Sequence, residues 1–256
     1  MSIISNDDFR ELRKTLQRGA GAIFILGSGF NNKDIPFFKD SEAVRALHSD
    51  NPEDVLTAWE ELFEHSKGGE THKFFQTYTK YVYETAPVKA ARFEFLTTGY
   101  TDHCRYVDKR NSSVLNLNGL LNQGFDPKSG MIKRVNSFEE ASSLHPLFPP
   151  LSSNYKMYED AVEALEKSAS DYTCQTVFIL GASGSCPVTE SIYNRSLVSG
   201  LSIRTNIVVV NTDEENYMYD NASFVYKVDA CLFLDELHER FLREDKDYAR
   251  IAQNCR

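Results

Sequence analysis

Two short apolar runs, each passing straight into a glycine turn, restrict the fold of this chain more than any other feature. Ala22–Leu26 leads into Gly27-Ser28-Gly29, and Thr176–Leu180 leads into Gly181-Ala182-Ser183-Gly184-Ser185-Cys186-Pro187. Five or so consecutive apolar residues without alternation fit a strand covered on both faces, as in parallel sheets. Glycine directly after such a strand lets the backbone turn sharply or approach a neighbour closely. Further strand-length runs are expected at Phe93–Thr98, Ser113–Leu117, Thr205–Val210 and Phe224–Val228.

Helical periodicity fills the intervals. Asn6–Gln17 carries Phe9, Leu12 and Leu16 on one face, with Ser5 or Asn6 as a cap and Asp7 and Asp8 at its positive end. Helices are also expected over Ser41–His48, Pro52–Ser66, Glu70–Glu84, Tyr155–Ser168, Val188–Ser199 and Ala230–Leu242, with a helical tail over Lys246–Ile251. The stripe Phe74, Phe75, Tyr78, Tyr81 and Val82 reads as core packing. The stretch Asn118–Pro150 has no strong period and reads as loop. Strands alternating with helices predict an α/β fold, a doubly wound and mostly parallel sheet. A single domain over residues 1–256 is expected, with a small helical module at about 34–84.

Composition narrows the function classes. Of the 256 residues 41% are hydrophobic, enough for a sizeable core, yet no apolar run approaches the roughly 20 residues of a membrane span. No membrane association is expected, and Met1–Asp8 lacks the pattern of a secretory signal. A net charge of −9 argues against direct nucleic-acid binding, which needs clustered cations. The five cysteines include no C-x-x-C pair, so reduced thiols and a cytoplasmic or nuclear location are expected. The histidines show no metal-ligand spacing, and no metal is expected.

Ligands of such sheets settle beyond the carboxyl ends of the strands. Glycine turns there can bring amides up to phosphate oxygens, and Asn211 and Asp213, after the Thr205–Val210 run, are of the type that bonds a ribose. Neither turn is a complete G-x-G-x-x-G, and there is no G-K-[ST].

In order and spacing these segments resemble the sirtuin superfamily, over roughly residues 20–242. Gly27-Ser28-Gly29 with Asp34-Ile35-Pro36-Phe37-Phe38-Lys39 is similar to the family's G-A-G-x-S … G-I-P-x-F-R loop. Leu96-Thr97-Thr98-Gly99-Tyr100-Thr101 resembles T-T-N-Y-D, the form nearer to the NAD-cleaving branch. Val114–Gly119 resembles the strand leading to H-G, Gly181-Ala182-Ser183 resembles G-x-S, Val210-Asn211 resembles I-N, and Val228-Asp229-Ala230 resembles G-D-A. The resemblance implies a Rossmann-like, sirtuin-like fold that binds NAD or ADP-ribose. It implies cofactor contacts from Gly27, Ser28, Gly29, Phe38, Thr97, Gly181, Ser183, Asn211 and Asp229.

The departures from the family pattern fall on reactive positions. Asn118 stands where the family has its catalytic His, Gly99 where it has Asn, and Thr101 where it has Asp; zinc cysteines are absent. Asn118 cannot titrate and Gly99 has no side chain, and one missing catalytic group typically costs about 10²–10⁴-fold. The expectation is a catalytically inactive, nucleotide-binding or protein-interaction subunit, partnered by another protein or by its own copies. The alternative is an NAD hydrolase with relocated groups, for which Asp102 and His103, at the start of an expected helix, are the candidates. Cys104 and Cys186 are nucleophiles by residue type only.

Overall fold

The computed structural model describes residues 2–17, 21–27, 29–30, 41–67, 70–85, 93–148, 174–182 and 206–255. Six parallel strands form the main sheet: β1 (Gly21–Leu26), β2 (Phe93–Thr97), β3 (Ser112–Asn116), β7 (Cys174–Leu180), β8 (Asn206–Val210) and β9 (Phe224–Tyr226). Their spatial order is β3-β2-β1-β7-β8-β9. From β1 the chain adds strands outward on one side, then returns to add β7, β8 and β9 on the other. The doubly wound sheet expected from the strand–helix alternation is therefore present, and its topological switch lies between β1 and β7.

Each face of the sheet carries a core. Ala22, Phe24 and Leu26 of β1 face one side, with helices α1 (Asn6–Gln17), α4 (Lys73–Thr85), α6 (Ala230–Glu244) and α7 (Lys246–Gln253). Phe24 stacks on Phe95 and on Phe178, each at 5.0 Å, so three neighbouring strands share one aromatic layer. The α4 stripe is core: Phe74, Phe75 and Tyr78 are fully buried, and Phe75 meets Phe24 edge-on. Ile23 and Ile25 face the other side with Leu96, Val177, Ile179, Ile207, Val209 and Met218. This two-sided burial is why the strands read as continuous apolar runs.

A smaller module sits beside the main sheet. Helices α2 (Glu42–Ala46) and α3 (Pro52–Leu62), with a 3-10 turn over Phe63–Lys67, pack Val44, Leu47, Trp59 and Phe63 against Tyr100, Leu121, Val135 and Phe148. Asn51 caps α3 and Pro52 occupies its first turn.

The segment expected to be loop instead contributes a three-stranded antiparallel sheet to this module. It comprises β4 (Gln123–Asp126), β5 (Met131–Arg134) and β6 (His145–Pro146), with α5 (Phe138–Ala141) before β6. All four β5 side chains are exposed, so the hydrophobic alternation that betrays a strand is missing there. The hairpin turn is held by Asp126, whose carboxylate accepts from Lys128 N at 2.9 Å and Ser129 Oγ at 2.8 Å. Gly130 closes it at φ +69.

The expected helices Tyr155–Ser168 and Val188–Ser199 lie outside the described residues. Among the described residues no helix is long and apolar enough to cross a membrane.

Candidate functional site

The strand ends are aligned across the sheet. Register pairs Asn116 with Thr97, Thr97 with Leu26, Leu26 with Leu180, Leu180 with Val210 and Val210 with Tyr226. The residues that follow form the site: Asn118, Thr98 to Thr101, Gly27, Gly181-Ala182 and Asn211. Of the cofactor contacts implied by the resemblance, Gly27, Gly29, Thr97, Gly181, Asn211 and Asp229 are described and follow or end these strands. Ser28, Phe38 and Ser183 lie outside the described residues.

The glycines of the two turns are packed against each other. Gly27 N donates to Leu180 O at 2.9 Å, Gly29 N to Gly181 O at 2.8 Å, and Gly181 N to Val210 O at 2.9 Å. A Cβ on Gly27 would lie 2.3 Å from Ala182 Cα, and one on Gly181 would lie 2.4 Å from Phe30 N. Gly181 also sits at φ +62. These three amides, read from sequence as phosphate donors, are hydrogen-bonded within the protein. Glycine is demanded here by backbone meeting backbone.

Asn211 is likewise engaged on both sides of its amide. Its Nδ2 donates to Ala182 O at 2.7 Å, and its Oδ1 accepts from Asp213 N at 3.1 Å. Asn216, which sequence reasoning did not single out, donates to the same Ala182 carbonyl at 3.2 Å and caps the turn at Tyr217–Asn221. Asp229 caps α6, accepting from Cys231 N at 2.8 Å and Leu232 N at 3.1 Å. Its place one residue before a helix was the signal for that role. Thr97 Oγ1 donates to Asn116 Oδ1 at 2.8 Å across β2 and β3.

Asn118 differs from these. It is 4% exposed, and its Nδ2 donates to Thr98 O at 2.8 Å. Its Oδ1 is buried and has no hydrogen-bond partner among the described residues. A buried acceptor without a partner costs about 1–3 kcal/mol, a cost that a ligand or water hydroxyl relieves. Next to Thr98, Gly99 is buried but not tightly packed: among the described residues the nearest atom to a Cβ there would be His103 Cδ2, at 4.0 Å, an ordinary contact.

Residues 99–103 face two ways. Tyr100 is buried in the core of the smaller module, its hydroxyl bonded to His48 Nε2. Thr101 Oγ1 meets His103 Nε2 at 2.7 Å, and the His103 ring stands edge-on to Phe30 at 5.4 Å. Residues 103–106 form a turn rather than the start of a helix, because Asp102 Oδ1 accepts from Cys104 N at 3.2 Å and folds the chain back. The Asp102 carboxylate also pairs with Arg134 of β5. Burial, reinforced by Asp102, pushes the Cys104 thiol well up, which makes it a poor nucleophile. Burial also lowers the pKa of His48. Cys186 lies outside the described residues. Among those described, no group of three His, Cys, Asp or Glu side chains is placed to hold a metal ion.

No protein-family model matches the sequence, and no curated protein matches it. Solved structures do. A structure of Sir2Tm bound to a propionylated peptide is 18% identical with a TM-score of 0.58, covering 92% of this chain and 98% of that one. A second, titled as the structural basis for sirtuin substrate affinity, is 17% identical with a TM-score of 0.57, covering 92% and 97%. A third, a Sir2 in complex with an inhibitor, 2′-O-acetyl-ADP-ribose and a deacetylated peptide, is 15% identical with a TM-score of 0.57, covering 92% and 98%. At such identity the likeness is one of fold, and it runs through the sheet and the smaller module together. The chain has the fold of the sirtuin superfamily.

Proposed function

We propose that this protein binds an NAD-type nucleotide, NAD or ADP-ribose, at the strand ends and does not carry out sirtuin turnover. On this reading it acts as a nucleotide-responsive subunit for another protein or for a second copy of itself. The observation that carries the reading is Asn118: a buried amide whose Oδ1 has no partner among the described residues, next to the loosely packed Gly99. Such an acceptor fits a sugar hydroxyl. An amide has no proton to take up near neutral pH, so Asn118 can position a ribose but cannot serve as a general base.

NAD would bring a glycosidic bond to nicotinamide, whose cleavage builds positive charge on the sugar. On this reading the described residues that the resemblance sets beside that bond are Asn118, Gly99 and Thr101: a neutral amide, a glycine and a threonine. The relocated candidates are occupied elsewhere. Asp102 is paired with Arg134, and His103, 4% exposed, is bonded to Thr101. That favours binding over hydrolysis. The exposed Tyr106, Met131 and Ile132 offer apolar surface for a partner, and Cys104 and Cys255, in no disulfide among the described residues, accord with a reducing compartment.

Calorimetric titration with NAD and with ADP-ribose, paired with a nicotinamide assay over hours, tests the proposal. Micromolar binding without nicotinamide above the buffer control is expected, and Asn118→Ala should weaken it about tenfold. Release that disappears in Asp102→Ala or His103→Ala would establish the hydrolase instead. Neither binding nor release would remove the nucleotide and leave a scaffold.

A further inference from the structure

The segment that carries Gly99 belongs to two structures at once. Gly99, Thr101 and His103 lie toward the strand ends, where the His103 ring meets Phe30 of the first glycine turn. Tyr100 and Asp102, the alternate residues, lie toward the smaller module. Tyr100 is part of that module's core, and its carbonyl accepts from Leu121 N at 3.0 Å. Leu121 O in turn accepts from Trp59 Nε1 at 2.8 Å. Asp102 reaches the hairpin through Arg134.

The hairpin has little other side-chain anchorage through β5, whose four side chains are all exposed. Lys133 pairs with Asp126, inside the hairpin, at 2.6 Å. Arg134 reaches out of it. The Asp102 side chain is 14% exposed and that of Arg134 37%. An ion pair so placed is neither fully screened nor costly to desolvate. Asp102 also holds the turn after Thr101 through Cys104 N.

We infer that Asp102 and Arg134 are positioning residues. Their ion pair transmits the placement of the β4–β5 hairpin to residues 97–104, and so sets the backbone beside Asn118 that a ligand of the proposed kind would meet. The inference rests on the nucleotide reading for its ligand, but not for its mechanical half. It makes nucleotide affinity sensitive to anything that moves the hairpin, including a partner seated on Met131 and Ile132, and it makes affinity fall with salt as the pair is screened.

The test uses the full chain with Arg134→Glu, Asp102→Arg and the double charge swap. ADP-ribose affinity is measured by calorimetry at low and high salt, and amide hydrogen exchange is followed over 97–104 and 123–134. Each single substitution should weaken ADP-ribose by about two- to fivefold, the range of a partly exposed ion pair. Each should speed exchange in 97–104. The double swap should recover most of the loss seen in Arg134→Glu and part of that in Asp102→Arg, since the reversed pair returns but the acceptor for Cys104 N does not; a residue needed for its own shape alone would not be rescued at all. Single variants that loosen 123–134 yet leave 97–104 and ADP-ribose affinity unchanged would overturn the inference. If the wild type does not bind ADP-ribose, the nucleotide reading fails and exchange decides: faster exchange in 97–104, recovered to that extent by the swap, upholds the coupling, and unchanged exchange ends it.

Discussion

Single positions in the turns separate residues demanded by packing from residues free to contact a ligand. Gly27→Ala places a Cβ 2.3 Å from the Gly181 carbonyl and the Ala182 backbone, which cannot yield. Gly99→Ala meets nothing among the described residues closer than the edge of His103 at 4.0 Å. Gly27→Ala should therefore lower stability by about 1–3 kcal/mol in urea unfolding, while Gly99→Ala stays within about 0.5 kcal/mol of wild type. Equal losses in both would contradict the packing described. The sequence marked both glycines through their place after apolar runs. It could not distinguish an amide offered to a phosphate from one given to a neighbouring carbonyl, because the carbonyl of Leu180 is 153 residues away from Gly27.

Elements were legible wherever both faces of a strand or one stripe of a helix are buried. The run Ala22–Leu26, the α1 stripe and the α4 aromatics all take the places expected of them, since their patterns reflect the cores they enter. Asp229 shows the same logic at a helix end: its carboxylate caps two amides of α6. Asp229→Ala should cost about 1 kcal/mol in thermal or urea unfolding and Asp229→Asn much less, since an amide oxygen still caps. A larger loss of ADP-ribose affinity than of stability in Asp229→Ala would mark a ligand contact in addition. The β4–β5 hairpin was hidden because β5 buries no side chain, leaving only its turn chemistry, Asp126 and Gly130, as a clue.

At the scale of the whole molecule, buried histidines tie stability to pH. Burial pulls His238 down to about 4, with the nearby Lys73 and His72 adding to the shift, and it lowers His48 and His72 as well. Each takes up its proton less readily in the fold than in the unfolded chain, where it binds one near its ordinary value of 6.5. Between about pH 6.5 and 4 the unfolded chain binds more protons, so stability is full above this window and falls as pH drops through it. Urea midpoints should fall from pH 7.5 to pH 5, and His238→Gln should flatten the decline. A midpoint independent of pH across that window would show that these side chains reach solvent. The loss would add to that from Asp108 and Glu236, whose carboxyls are held below their ordinary values and titrate at lower pH.

By itself the sequence determined the parallel sheet, its row of strand ends and the described helices that cover one face, because burial on both faces writes continuous apolar runs and covering helices write periodic ones. Its resemblance to the sirtuin pattern further implies that Gly99, Thr101 and Asn118 stand at that family's reactive positions. Tertiary structure alone decided what those neighbours do. It joined Asp102 to Arg134, His103 to Thr101, and the glycine amides to carbonyls of distant strands. It also left the Asn118 acceptor without a partner among the described residues. Hydrogen bonding depends on distance and direction between groups far apart in the chain, and no local pattern of residue types records either.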